Sequence, residues 1–175
     1  MKRTHLIIIA LISVSTIAKA QQTIFYTDFA TTPENINQIV GSSNLILENP
    51  TIGQNPDWEI GGHQNNQLAK KKQGHFSDGV TPLSKYGRLS LGGSAGYFLI
   101  KKIQGPFNLD VYWGVTNPER CLRVKIGNNT PISKTPEKEA SVIKSSFKYD
   151  GTDVIDIKIS GQKGGLYLYD VLIQK

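Results

Sequence analysis

The alternation of apolar and polar positions is strongest near the end of the chain. In DVIDIKIS, residues 153–160, Ile155, Ile157 and Ile159 alternate with Asp156, Lys158 and Ser160. A period of two marks a strand with one buried and one wet face. A GQKGG connection follows, and then LYLYDVLI, residues 166–173, which is apolar on both sides. Tyr167, Tyr169, Val171 and Ile173 fall on one side. Leu166, Leu168 and Leu172 fall on the other, with Asp170 the exception. A strand buried on both faces belongs inside a sheet, so this closing strand is expected to be central in a sandwich.

Similar runs recur upstream. TIFYTDF, residues 23–29, reads as a first strand, ended by Thr31, Thr32 and Pro33. Residues 33–40 could make one helical turn, with Thr32 as N-cap and Pro33 in the first helical position. Short strands are expected at 45–48 and 58–60, set off by Asn-Pro turns. Residues 61–82 hold GGHQNNQ and Lys70, Lys71 and Lys72, and read as a long surface excursion. Long loops in compact domains commonly carry function. Strands resume at 87–91, with Leu89 and Leu91 inward and Arg88 outward, and at 97–101 after GGSAG. In 106–113, Phe107, Leu109, Val111 and Trp113 share one face, while Asn108, Asp110 and Tyr112 share the other. Further strands are expected at 121–126 and 141–149. No run holds a helical period along its whole length. Many short strands spaced by turns define an all-β, antiparallel β-sandwich.

The start of the chain stands outside this pattern. Lys2, Arg3 and His5 precede an apolar run at 6–17, and Ala18-Lys19-Ala20 has small residues at the spacing of a cleavage site. These are the parts of a secretory signal peptide cut after Ala20. An apolar run of about a dozen residues is too short to span a bilayer, which needs about 20. Residues 21–175 then form one domain, expected outside the cell or in a periplasm. Cleavage removes Lys2, Arg3 and Lys19 and lowers the formal charge from +6 to +3. So small an excess does not call for nucleic acid. Cys121 is the sole cysteine, so an exported domain of this chain must be stable through its core alone.

Four pieces carry a resemblance: GRLSLGGSAGYFLI, GPFNLDVYWG, RCLRVKIGNN and FKYDGTDVIDIKISGQKGGLYLYDVLI. Their order resembles the jelly-roll, galactose-binding-like modules secreted by polysaccharide-degrading bacteria. These include carbohydrate-binding modules and the accessory domains of pectate lyases. The resemblance implies a jelly roll and a non-catalytic module that binds extracellular polysaccharide. A reading from another class is a structural or adhesive surface protein that contacts a protein partner. A small polysaccharide lyase or hydrolase is the weaker third, because the sequence displays no acid–base constellation.

Sugar sites offer aromatic faces to C–H surfaces and planar polar groups to hydroxyls. Tyr112, turned away from Phe107, Leu109 and Val111, is the first candidate platform. Arg88 and Trp58 follow, with His63, Asn65 and Asn66 near Trp58 in sequence and Tyr86 beside Arg88. Trp58 suits core and site equally. Trp113 reads as core by its parity. The three lysines at 70–72 read as a solvated loop, with contact to an acidic glycan as the functional alternative. His63 and His75 fit no zinc-binding spacing. Cys121 reads as structural. Asp28 and Asp170 each place a carboxylate in an otherwise apolar strand, one in the first and one in the last, and a buried carboxylate needs a partner. The resemblance suggests structural calcium where the terminal strands meet, with these two aspartates among its oxygen ligands. No other cofactor is implied.

Overall fold

A computed structural model describes residues 21–29, 57–70, 87–136 and 142–175. The expected leader at 1–20, the helical turn at 33–40, the strand at 45–48, Lys71, Lys72, His75 and Tyr86 lie outside the described residues. The strands are β1 (Thr23–Thr27), β2 (Trp58–Gly61), β3 (Gln67–Lys70), β4 (Gly87–Leu91), β5 (Tyr97–Gln104) and β6 (Phe107–Gly114). They continue with β7 (Cys121–Ile126), β8 (Ile132–Lys134), β9 (Ile143–Tyr149), β10 (Val154–Gln162) and β11 (Leu166–Gln174). Among the described residues no helix is long and apolar enough to cross a membrane.

Two antiparallel sheets form a sandwich. Sheet A has the order β3-β4-β11-β6-β9, with β1 also paired to β11, and sheet B has the order β2-β5-β10-β7-β8. From β4 to β7, and again from β9 to β11, successive strands fall in alternate sheets. This interleaving is the jelly-roll arrangement. The GQKGG connection is therefore a corner between sheets. Its backbone needs left-handed conformations at Lys163 (φ 61°) and Gly164 (φ 142°). A Cβ on Gly165 would stand 2.0 Å from the carbonyl oxygen of Leu91, so only glycine fits there.

As the sequence predicts, β11 is central. It pairs with β6 along one edge and with β4 and β1, end to end, along the other. Its two apolar sides are resolved differently. The β6–β11 register slips between Leu168 and Asp170. A bulge of one residue exchanges the two faces beyond it. Leu166 and Leu168 enter the core before the slip, and Val171 and Ile173 enter it after. Tyr167, Asp170 and Leu172 consequently share the outer face. Period-two reading across 166–173 missed this because it assumes an unbroken pleat.

The core lies between the inner faces. Phe25, Leu89, Leu109, Val111 and Trp113 come from sheet A, and Ile60, Phe98, Ile100, Val124, Ile157 and Ile159 from sheet B. Each such side chain contributes about 1.5–3 kcal/mol by leaving water. Trp113 is fully buried, as its parity predicts, and its Nε1 donates to Ser145 Oγ at 3.0 Å. The expected excursion at 61–82 is ordered where it is described. Asn66 is fully buried; its Nδ2 donates to the Gly61 carbonyl at 2.8 Å, and its Oδ1 accepts from the Gly92 amide at 3.0 Å. The next residues form β3, whose Leu68 pairs with Leu89 and is buried.

Candidate functional site

Four of the sequence-selected residues gather on the outer face of sheet A. Cross-strand partners share a face, so pairing of Tyr112 with Asp170 puts both outward. Tyr26 pairs with Leu172 and joins them. Thr27 pairs with Val171 at the end of β1, and Asp28 follows it directly. The first and last strands do pair, and both carboxylates act on Tyr26 between them. Both are buried, at 6% and 1% exposure. Among the described residues no group of three or more His, Cys, Asp or Glu stands ready for a metal ion.

Tyr26 reports on the charge here. Burial first, then the carboxylates of Asp170 and Asp28, then Tyr112, push its phenol well above the ordinary value. Its hydroxyl is therefore a donor across the physiological range.

On the far side of β11 stands Arg88. Its outward parity holds, since Leu89 next to it enters the core. Its exposure does not: Arg88 is 9% exposed. The guanidinium lies 4.4 Å above the Tyr167 ring and donates to the Tyr169 hydroxyl. Burial holds the Tyr169 phenol high against the pull of that cation. Nε and Nη1 of Arg88 are buried without a hydrogen-bond partner. Two unmet donors on a buried cation mark a place where the fold accepts a cost.

Tyr112 is half-buried and flanked by a tied network. Lys144 Nζ lies 2.8 Å from Asp110 Oδ2 and 5.6 Å from the Tyr112 ring centre. Ser146 Oγ donates to Asp110 Oδ1 at 2.6 Å. The hydrogen bond to Asp110 raises the Lys144 ammonium above its ordinary value and keeps it charged.

Trp58, His63 and Asn65 lie elsewhere. Trp58 is on β2 in sheet B, packed against the core with its ring 6.3 Å from Phe98. It is a wall of the core, because β2 turns that side inward. His63 is half-buried; its Nδ1 accepts from the Asn65 amide at 3.1 Å and its ring packs on Gly92 and Gly93. It shapes the turn before β3. Asn65 is exposed at that turn. Cys121 is half-buried, with Sγ 3.7 Å from the Glu119 carbonyl.

Tyr26, Tyr167 and Tyr169 join this group although none is a candidate by sequence. Tyr26 was legible, since it alternates with Phe25 and Thr27. Tyr167 and Tyr169 were hidden by the bulge.

No protein-family model matches the chain, and no curated protein does. Solved structures are similar in fold. An exo-β-1,3-galactanase from Phanerochaete chrysosporium with galactose matches at TM-score 0.40 and 14% identity, over 65% of this chain. The chain spans only 28% of that enzyme's length. The module TmCBM61 in complex with β-1,4-galactotriose matches at TM-score 0.43 and 13% identity, over 66% of this chain and 86% of its own. A carbohydrate-binding module of lichenase 5A from Cellvibrio mixtus, in complex with cellotriose, matches at 0.39 and 10% identity, over 88% of this chain and 98% of its own. A shared fold carries many functions, so the functional reading rests on side chains.

Proposed function

We propose that the protein is an exported, non-catalytic module that binds extracellular polysaccharide through the outer face of sheet A. The observation that carries this is the convergence on one sheet face of Tyr26, Tyr112 and Tyr167 with the planar guanidinium of Arg88. Rings on a rigid sheet bind sugar C–H faces with little entropy to lose, and Arg88, stacked on Tyr167, holds that ring in place. A protein-contact role would need an apolar patch. Among the described residues the exposed large hydrophobics are Ile132 and Val154, on separate strands β8 and β10.

The test is a pull-down on soluble and insoluble polysaccharides with wild type, Tyr112→Ala, Arg88→Ala and Trp58→Ala. Loss of one platform costs about tenfold for each 1.4 kcal/mol, enough to hide a weak module's binding. Tyr112→Ala and Arg88→Ala are expected to abolish retention, while a folded Trp58→Ala keeps it. Retention unchanged in both face variants rejects this site. Calcium at Asp28 and Asp170 belongs to the same proposal. Two carboxylates offer up to four of the 6–8 oxygens calcium takes, leaving the rest to backbone carbonyls and water. Chelation is expected to lower the melting temperature, with calcium restoring it. A melting curve indifferent to both assigns the pair to protein hydrogen bonds alone.

A further inference from the structure

The outer face of sheet B carries a row of cations that form no ion pair among the described residues. Lys158 on β10 pairs directly with Lys125 on β7, and Ser160, the next outward residue of β10, pairs with Arg123. All three cations are exposed. Like charges directly opposite across a ladder are destabilising. Among the described residues none of the three makes an ion pair, and Lys158 is eased only by the Tyr97 ring and the more distant charge of Glu59. The same sheet shows the relieved case one strand away, where Lys101 meets Glu59 at 2.8 Å.

The shape fits the charge. A depression of about 440 Å³ beside Leu99, Asn128 and Ile155 and another of about 260 Å³ beside Ser94, Arg123 and Ser160 both reach Lys125 and Lys158. The lysine pair is thus the saddle of one trough. Lys158 is braced there, its ammonium 4.1 Å from the Tyr97 ring centre, and the Tyr97 hydroxyl donates to Glu59. Arg123 lies two residues, about 7 Å, along β7 from Lys125. Asp156 lines the opposite depression and turns the favourable track from the lysines towards Arg123.

We propose that this trough is a second binding site, separate from the face of sheet A, and that it takes a polyuronate, a linear polysaccharide with carboxylates on successive sugars. One carboxylate bridges Lys125 and Lys158, and a neighbouring one meets the planar fork of Arg123, which suits bidentate carboxylate contact. Repeated charge on the ligand matches repeated charge along the strand, which a single small anion cannot do.

Affinity electrophoresis of the exported protein in gels cast with polygalacturonate tests this. Retardation is expected with the polyuronate and not with a neutral glucan. It should weaken about fivefold in Lys125→Gln or Lys158→Gln and about 25-fold in the double variant. Retardation at about 0.1 M salt should vanish at about 1 M, where the Debye length falls from about 10 to about 3 Å. Both variants should melt no lower than wild type, because each removes the lysine repulsion. Tyr112→Ala should leave the retardation intact, which separates this site from the sheet A proposal. Equal retardation by a neutral glucan, unchanged retardation of the double variant, or tighter retention by dextran sulfate or duplex DNA than by polygalacturonate would overturn it.

Discussion

On sheet A one group of outward polar side chains is sheltered: Arg88, Asp28 and Asp170 are each at least nine-tenths buried, and Tyr112 and Tyr167 half so. On sheet B a row of outward cations stands in solvent: Arg123, Lys125 and Lys158 are all exposed. Both faces sit on strands of the same jelly roll. Their energetics differ in kind. A buried charge costs desolvation and fixes a geometry, whereas an exposed one costs little and acts through a field that salt removes. The fold thus holds a shaped polar face and an electrostatic one back to back, with a shared apolar layer between them.

That shared layer is where the largest effect is expected. Leu168 is fully buried at the centre of β11 and pairs with Leu89 and Trp113. Leu168→Asp would place an unpaired charge there at a cost of several kcal/mol, of the order of a domain's whole stability of roughly 5–15 kcal/mol. No cooperative thermal transition is expected, and both faces should be lost together. A soluble variant with a sharp melt would contradict the position given to β11.

The next effect separates the faces. Arg88→Met keeps length and removes the two donors that have no partner. Each unmet buried donor costs about 1–3 kcal/mol, against about 0.5–2 kcal/mol for stacking on Tyr167 and about 1.5–3 kcal/mol for the bond to the Tyr169 hydroxyl. The variant should melt no lower than wild type and lose polysaccharide retention on sheet A. Lys158→Met, on the exposed face, should stay within about 0.5 kcal/mol of wild type. Calorimetry of the pair checks both. A steep drop for Arg88→Met would make that guanidinium a structural group.

Strand identity was legible wherever alternation met a paired neighbour. β4 falls at the expected 87–91, and Trp113 enters the core as its parity requires. β3 escaped because QLAK has a single large apolar residue, and its burial depends on β4 beside it. β8, with all three residues exposed, is an edge strand with no hydrophobic pattern to read. The site was half legible. Alternation turned Tyr112 and Arg88 outward, and the first and last strands pair beside Asp28 and Asp170. What hid the rest was tertiary: a bulge that swapped the faces of β11, and the inward turn of β2 that made Trp58 a core wall. The sheet B trough escaped for a related reason. Lys125 and Lys158 are 33 positions apart, and only register makes them neighbours.

The smallest expected effect lies on sheet B, at Glu59 of β2. Its carboxylate accepts from Lys101 Nζ at 2.8 Å and from the Tyr97 hydroxyl. The Lys101 bond first, then the Tyr97 bond, hold it below its ordinary 4.5, and the same bonds raise Lys101 above 10.5 and Tyr97 above 10.0. A depressed carboxyl contributes stability above its unfolded value and loses it as pH falls through the lower folded value. A raised ammonium or phenol contributes below its unfolded value and loses it as pH rises through the higher folded one. The cluster should therefore stabilise across the middle of the range and fail at both ends. Lys101 and Glu59 keep about a third of their side-chain surface exposed, at 34% and 31%, so solvent screens the pair and the gain is small. Glu59→Gln keeps a hydrogen-bond acceptor for Tyr97 and removes the charge. Its melting temperature should trail wild type slightly near neutrality and converge with it as the pH falls well below 4.5. High salt should also close the gap, as for an exposed pair, whereas the Arg88→Met difference on the sheltered face should persist in salt. A Glu59→Gln deficit of equal size at acid and neutral pH would place this contact with the buried groups of sheet A and erase the distinction between the faces at that point.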